Sequence, residues 1–247
     1  MIRLIALREL RSLFVMPSTW LVFAVLQFIL AWFFLNTLQS FLDFQPQLAQ
    51  VANAPGVTVI VAAPLFNLVA LLLMMLVPMF TMRLIAEERR NQTFALLLSS
   101  PLSVSQIVLG KFLGLLVFLI ALTATVPLML YSLAPGTALD HGLLLSNYLG
   151  LLLLAASYVS LGLYISSLTA QPVIAAIGAM AVLLGLWLAD IGASAADSPW
   201  HFMSPLHHFQ NFNAGLLDSG DTAFFVLFSA TFLVLAMRRI HNNRRYG

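Results

Sequence analysis

Residues 86–111 read AEERRNQTFALLLSSPLSVSQIVLGK, and this stretch is the only long polar interruption of the chain that carries charges of both signs. It lies between two apolar runs, each long enough to cross a bilayer. Because charged groups are costly in hydrocarbon, the stretch must face water on one side of a membrane. We interpret it as the segment on which a partner acts to drive this chain.

The composition predicts an integral membrane protein. Of the 247 residues, 61% are hydrophobic and 8% are charged, against about 25% charged residues in an ordinary soluble domain. Cysteine is absent, which excludes disulfides, thiolate nucleophiles and thiolate metal ligands. The basic residues form no run interleaved with aromatics, so we expect no nucleic-acid partner.

Six segments are apolar and long enough for a span of about 20 residues. They are residues 19–38, 57–82, 107–133, 143–166, 172–189 and 222–237. The sequence therefore predicts an all-α membrane protein, with residues 1–247 forming a single transmembrane domain. Two longer polar segments lie on opposite sides of the membrane. Residues 86–106 connect the second and third spans, and residues 191–221 connect the fifth and sixth.

Residues 1–16 are typical of an amphipathic helix at the membrane surface. Ile2, Ile5, Leu10, Leu13 and Phe14 share one face, and we expect Glu9 to lie with Arg3, Arg8, Arg11 and Ser12 on the other. Pro17 then ends or turns the helix. A signal peptide is the alternative, but the only nearby Ala-x-Ala tripeptide, residues 52–54, lies far beyond the first apolar run, so we expect no cleavage.

The distribution of charge predicts the orientation. All 11 lysines and arginines lie before the first span, between the second and third, or after the sixth. Every glutamate lies on this same side, and every aspartate lies on the other side or at its boundary. Basic loops favour the cytoplasm, so we expect a multi-pass protein of the inner membrane with both termini cytoplasmic.

The chain carries no obvious energy source of its own. No ionisable residue lies deep in a span, where ion-coupled transporters place them. Gly110-Lys111 resembles the end of a phosphate-binding loop, but Ser105 replaces its first glycine and Phe112 its magnesium-binding residue. We therefore expect no cofactor in this chain and energy supplied by a partner.

The central stretch has the features of a docking site. Asn91-Gln92 interrupts the helix, residues 93–98 form an apolar patch too short to span a membrane, and Pro101 ends it. Residues 103–106, Ser-Val-Ser-Gln, are a capping box that begins the third span. Such an exposed patch favours a groove in another protein. An interfacial helix resting on lipid is the alternative.

Residues 191–221 predict a short amphipathic or re-entrant element, a candidate external gate. Its apolar residues recur at helical spacing; the gate candidates are Phe202, Leu206, Phe209 and Phe212. His201, His207 and His208, with Asp197 nearby, raise the question of a metal site. The adjacent histidines would point to different faces of a helix, so we expect no metal here.

Three stretches carry a resemblance to a known family. They are EERRNQTFALLLSSPLSVSQIVLGKFLG (87–114), SLGLYISSLTAQPVIAAI (160–177) and SPLHHFQNFNAGLLDSGDTAFF (204–225). Together they resemble type-2 ABC exporter permeases, most closely the compact six-span permeases of the gliding-motility type. Gln92 and Ala95 depart from the family pattern, which has glycine and an acidic residue there.

The resemblance implies one half of an ATP-driven exporter. Two permease subunits, identical or different, would sit on two cytoplasmic subunits that bind ATP and magnesium. Residues 1–16 would be an elbow helix, and residues 93–98 a coupling helix. The residues expected to contact the ATP-binding subunit are Glu87, Glu88, Arg89, Arg90, Thr93, Phe94, Leu96, Leu97 and Pro101. Membrane lipids and an accessory protein on the external side are further candidate partners.

Two other classes of function stay open at this stage. The chain could anchor a cytoplasmic ATPase complex without transporting anything. A membrane-embedded enzyme is disfavoured, because no histidine lies within a span to activate Ser157, Ser160 or Tyr164. The small-residue pairs Gly110-x-x-x-Gly114 and Ala175-x-x-x-Ala179 permit close helix contacts, either within the chain or with a second subunit. The path has no residues diagnostic of a particular substrate.

Overall fold

The computed structural model describes residues 1–48, 56–92, 103–137, 139–192 and 199–246, and within them the regular elements are all helices. In chain order these are α1 (Ile2–Val15), α2 (Pro17–Leu48), α3 (Thr58–Arg90), α4 (Val104–Thr123), α5 (Thr125–Tyr131), α6 (His141–Leu168), α7 (Pro172–Gly192), α8 (Pro199–Met203), α9 (Pro205–Asn213) and α10 (Ser219–Tyr246). Helix α3 contains a wider π-helical turn at each end, Thr58–Ala62 and Arg83–Glu87.

Six helical segments are long and apolar enough to cross a membrane: α2, α3, α4 with α5, α6, α7 and α10. The prediction of an all-α, six-span membrane protein is confirmed. Helix α2 continues to Leu48, well past residue 38, where we predicted the first span to end. Phe41 is buried, and the Ser40 hydroxyl donates to the Asn36 carbonyl of the same helix (2.9 Å), so this polar stretch remains helical.

Helix α6 is the centre of the bundle. In its most apolar stretch 67% of residues are buried, against 17% in α2, α7 and α10. Two glycines of α6 allow neighbours to approach closely. A Cβ on Gly162 would overlap the Thr81 side chain of α3, and a Cβ on Gly150 would overlap Phe212 of α9. Helix α6 therefore contacts α3 near one end and α9 near the other.

Pro127 divides the third predicted span into α4 and α5. A proline has no N–H and its ring clashes with the carbonyl four residues earlier, which here belongs to Thr123, the last residue of α4. Gln27 of α2 binds at this break, donating through Nε2 to Thr125 Oγ1 (2.6 Å) and to the Leu122 carbonyl (3.4 Å). Gln27 therefore joins α2 to the break between α4 and α5 by interhelical hydrogen bonds.

The two ends of the bundle differ in charge. At one end Lys111 of α4 lies against α3 and α1, and Arg239 of α10 lies near enough to Arg89 for the two cations to repel; we call this the basic end. At the other, Asp140 and Asp221 begin α6 and α10; we call this the acidic end. The acidic end is closed by α9, whose Asn213 donates to the Ala63 carbonyl of α3 (3.0 Å).

We expect Gly150→Ala to lower the stability of the protein by about 1 to 3 kcal/mol, because the new methyl group must displace Phe212 from a packed contact. Gly185→Ala is the matched control, since a Cβ there meets nothing within 4 Å and alanine favours a helix. Thermal unfolding of the purified protein in detergent measures both variants. Equal unfolding temperatures for the two would contradict the close packing of α6 on α9.

Candidate functional site at the basic end of the bundle

A buried cluster of three charged side chains joins three helices at the basic end. Lys111 Nζ of α4 lies 2.8 Å from Glu9 Oε1 of α1 and 2.7 Å from Glu88 Oε1 of α3. The lysine is 1% exposed, so its charge must be balanced inside the protein. The two carboxylates supply that balance and hold α1 and α3 against α4. We call these three residues the Lys111 clamp.

Helix α1 can reach the clamp because α4 presents glycines to it. An ideal Cβ on Gly110 would lie 2.7 Å from Ile5 Cβ, and one on Gly114 would lie 2.9 Å from the Ala6 carbonyl oxygen. The Gly110-x-x-x-Gly114 pair thus makes a contact within the chain, between α4 and α1. The prediction that Glu9 lies on the polar outer face of α1 is wrong, because Glu9 points inward to Lys111.

The end of α3 and the start of α4, both near the clamp, lie where the sequence predicts them. Helix α3 ends at Arg90, and Gln92 follows with a φ of 59°, the left-handed conformation that glycine adopts without strain. This conformation explains why glycine suits position 92. Helix α4 begins at the predicted capping box, in which Gln106 N–H donates to Ser103 Oγ and Ser103 N–H donates to Gln106 Oε1, both at 3.3 Å.

The predicted docking residues divide into two groups. Thr93, Phe94, Leu96, Leu97 and Pro101 lie outside the described residues. The other four are on the last turns of α3: Glu88 in the clamp, Glu87 on a crevice of about 180 Å³ between α3 and α1, Arg89 partly buried, and Arg90 exposed. Within the charged residues 87–90, some side chains thus hold the bundle together and others are accessible to a partner.

Ser166 of α6 stabilises the π-helical turn that precedes the clamp. Its hydroxyl accepts hydrogen bonds from the backbone N–H groups of Ile85 (3.3 Å) and Ala86 (3.1 Å), and it donates to the Met82 carbonyl (3.3 Å). Both N–H groups belong to fully buried residues. Sequence reasoning did not identify Ser166. The only signal for it in the sequence was a hydroxyl side chain within one of the family-like stretches, 160–177.

At the acidic end the four gate candidates differ in burial. Leu206, Phe209 and Phe212 are buried against the bundle, whereas Phe202 is 67% exposed. The predicted amphipathic element consists of α8 and α9, divided at Ser204, whose side chain caps α9. Gly215 ends α9 with a φ of 85°, where its N–H donates to the Phe212 carbonyl (3.0 Å).

His208 is held inside the acidic end. Its Nδ1 lies 2.6 Å from Asp221 Oδ1, whose other oxygen accepts from Asn211 Nδ2 (2.9 Å). The ring stacks on Phe224, with centroids 3.9 Å apart. His207, by contrast, faces Asp190. The prediction that the adjacent histidines point to different faces is confirmed.

Comparison with known proteins identifies the family. A family model described as ABC-2 family transporter protein matches residues 3–238. The chain belongs to this family. Its resemblance to type-2 ABC permeases is thereby confirmed, and the permease is a membrane component of an ABC transporter. No curated protein matches the chain.

We expect Lys111→Met in the permease to cost about 2 to 4 kcal/mol of stability, because two largely buried carboxylates would lose their counter-ion. The triple variant with Glu9→Gln and Glu88→Gln removes those charges and is expected to regain more than half of the loss. Thermal unfolding in detergent compares the two. A triple variant no more stable than the single one would contradict a balance of buried charge.

We expect Ser166→Ala to cost about 1 to 2 kcal/mol, because the buried N–H groups of the π-helical turn lose an acceptor. Ser160→Ala is the matched control. Ser160 is equally buried on α6, but its hydroxyl donates only to the Ser157 carbonyl of its own helix (2.8 Å), so its loss should cost under about 0.5 kcal/mol. Similar unfolding temperatures for both variants would show that Ser166 does not support the turn.

Proposed function

We propose that this permease is the membrane-spanning subunit of an ATP-driven exporter in the inner membrane. The basic end and both termini face the cytoplasm, as expected from the positive-inside bias. A separate subunit binds ATP and magnesium and acts on residues 86–106, with residues 93–98 as the coupling helix. Export is the direction that the family resemblance favours. The coupling residues are those predicted above, and ATP and magnesium bind to the partner subunit rather than to this chain.

The observation that carries this proposal is the Lys111 clamp. The docking segment connects the end of α3 at Arg90 to the start of α4 at Val104. Glu88 lies on the departing helix and Lys111 on the returning one, and their ion pair of 2.7 Å joins the two. A push on the segment between them would therefore displace α3 and α4 as one unit, with α1 attached through Glu9. Rigid-body movement of this kind needs such firm internal contacts.

The packing offers a route along which a displacement at the basic end would reach the acidic end. Helix α3 is fastened to α6 through Ser166 and through the close contact of Thr81 with Gly162. At its other end α6 holds α9, where Ser146 Oγ donates to the Phe212 carbonyl (2.9 Å). Displacement of α3 would thus reach α9 through α6. In this proposal α9 moves as a unit, with Leu206, Phe209 and Phe212 as the gate at its inner face.

Helices α2 and α7 are among those that expose apolar surface to neighbours in the membrane. Trp20, Phe28 and Trp32 are exposed on α2, and Val173 and Ile177 are exposed on α7. Side chains of this kind suit lipid chains or a second permease subunit, identical or different. We propose that α2 and α7 carry the contact between the two permeases, and that lipids cover the remaining apolar surface.

The first test is co-purification of the permease from detergent with an ATP-binding subunit expressed in the same cells. We expect a stoichiometric complex for the wild type and at least a tenfold loss of bound ATPase for Leu97→Asp, which places a charge in the apolar docking patch. Leu217→Asp is the control, because Leu217 is exposed at the acidic end and should tolerate an acid without loss of the complex.

Two outcomes would contradict the proposal. If no ATPase is retained by the wild type, or if Leu97→Asp retains it as well as Leu217→Asp does, residues 93–98 are not the coupling helix. Stimulation of ATP hydrolysis by transported molecules in the reconstituted complex then separates an exporter from a passive membrane anchor. An anchor would bind the ATPase and leave its rate independent of any added molecule.

A further inference from the structure

Three side chains from three helices meet at the acidic end. Asp190 lies in the last turn of α7, His201 in α8 and His207 in α9. Asp190 Oδ1 lies 2.6 Å from His201 Nδ1 and 3.3 Å from His207 Nδ1. One ligand atom of each residue falls within 4.8 Å of the others. The three donor atoms therefore form one close group.

The spacing suits a small divalent cation. Zinc bonds of 2.0–2.2 Å in a tetrahedral site place neighbouring ligand atoms about 3.3 Å apart. The separation between His207 Nδ1 and Asp190 Oδ1 already has this value, 3.3 Å. The closer pair, His201 with Asp190, would have to lengthen by about 0.7 Å for the same geometry. A movement of that size is within the reach of side-chain adjustment.

Access and chemistry distinguish this cluster from the neighbouring His208. His208 is enclosed: its Nδ1 lies against Asp221, its Nε2 against the Phe202 carbonyl (3.2 Å), and its ring against Phe224. In the cluster, the His207 side chain is 39% exposed while that of Asp190 is 9% exposed. A buried carboxylate beneath a partly exposed imidazole leaves one side open to an incoming ion.

We propose that Asp190, His201 and His207 form a binding site for a divalent transition metal, with Zn²⁺ as the ion that best fits two imidazoles and one carboxylate. A water molecule would take the fourth position. Asp197, considered from the sequence, is not needed, because Asp190 comes from the end of α7. The site does not depend on the proposed export activity, since it is defined by these three residues alone.

The bound ion would join helices that are otherwise linked by short segments. Asp190 belongs to a membrane-spanning helix, whereas both histidines precede α10 on the element that closes the acidic end. Metal bonds between them favour the arrangement in which α8 and α9 lie against α7. Zn²⁺ would therefore stabilise this arrangement in proportion to its occupancy of the site.

The test is calorimetric titration of Zn²⁺ into the full-length permease, purified with a tag that contains no histidine and freed of metal by a chelator. We expect one Zn²⁺ per chain for the wild type and at least a tenfold weaker affinity for His207→Ala and for Asp190→Asn. His141→Ala is the control, because His141 also lies at the acidic end but pairs with Tyr131 (3.4 Å). The affinity of this variant for Zn²⁺ should equal that of the wild type.

Thermal unfolding of each variant without metal shows whether it is folded. Asp190→Asn keeps a hydrogen-bond acceptor for His201, and His207→Ala alters the most exposed of the three ligands, so at least one of them should remain folded. The proposal fails if the wild type binds no Zn²⁺ at 100 µM, a concentration of roughly the order at which weak sites are filled. It fails equally if a folded ligand variant binds as tightly as His141→Ala does.

Discussion

A charged ammonium group inside an apolar bundle is the constraint on which the basic end depends. Removing a charge from water costs several kcal/mol, and only close opposite charges with good geometry offset that cost. Lys111 meets this requirement with carboxylates at 2.7 Å and 2.8 Å. Because Glu9 and Glu88 come from different helices, the requirement also determines how α1, α3 and α4 sit together. The glycines at 110 and 114 then allow α1 to come close enough for its carboxylate to reach.

Helix α3 connects this constraint to the rest of the molecule. It is bound at each end by polar contacts from other elements: Ser166 at the basic end, and Asn213 at the acidic end. Between them its apolar side chains are packed against α6, the most buried helix. The close contacts at Gly150 and Gly162 extend this packing through α6 to α9.

The six helices, the separation of charge and the capping box could all be predicted, because each depends on a local pattern of apolar, charged or capping residues. The family assignment followed from three stretches and is confirmed by the match over residues 3–238. Glu9 was misplaced because an amphipathic pattern assigns every charge to the outer face, whereas an inward carboxylate is stable only beside Lys111, 102 residues away. The contribution of Ser166 and the meeting of Asp190 with His207 likewise depend on tertiary contacts that no local pattern contains.

The π-helical turn Arg83–Glu87 has a consequence for register. A π turn closes its hydrogen bonds over one more residue than an α turn does. Successive residues of an α-helix are turned by about 100° around its axis, so one added residue rotates everything that follows by roughly that angle. Glu88 faces Lys111 in the orientation which that rotation produces. The ion pair that joins α3 to α4 thus depends on the number of residues in a single turn.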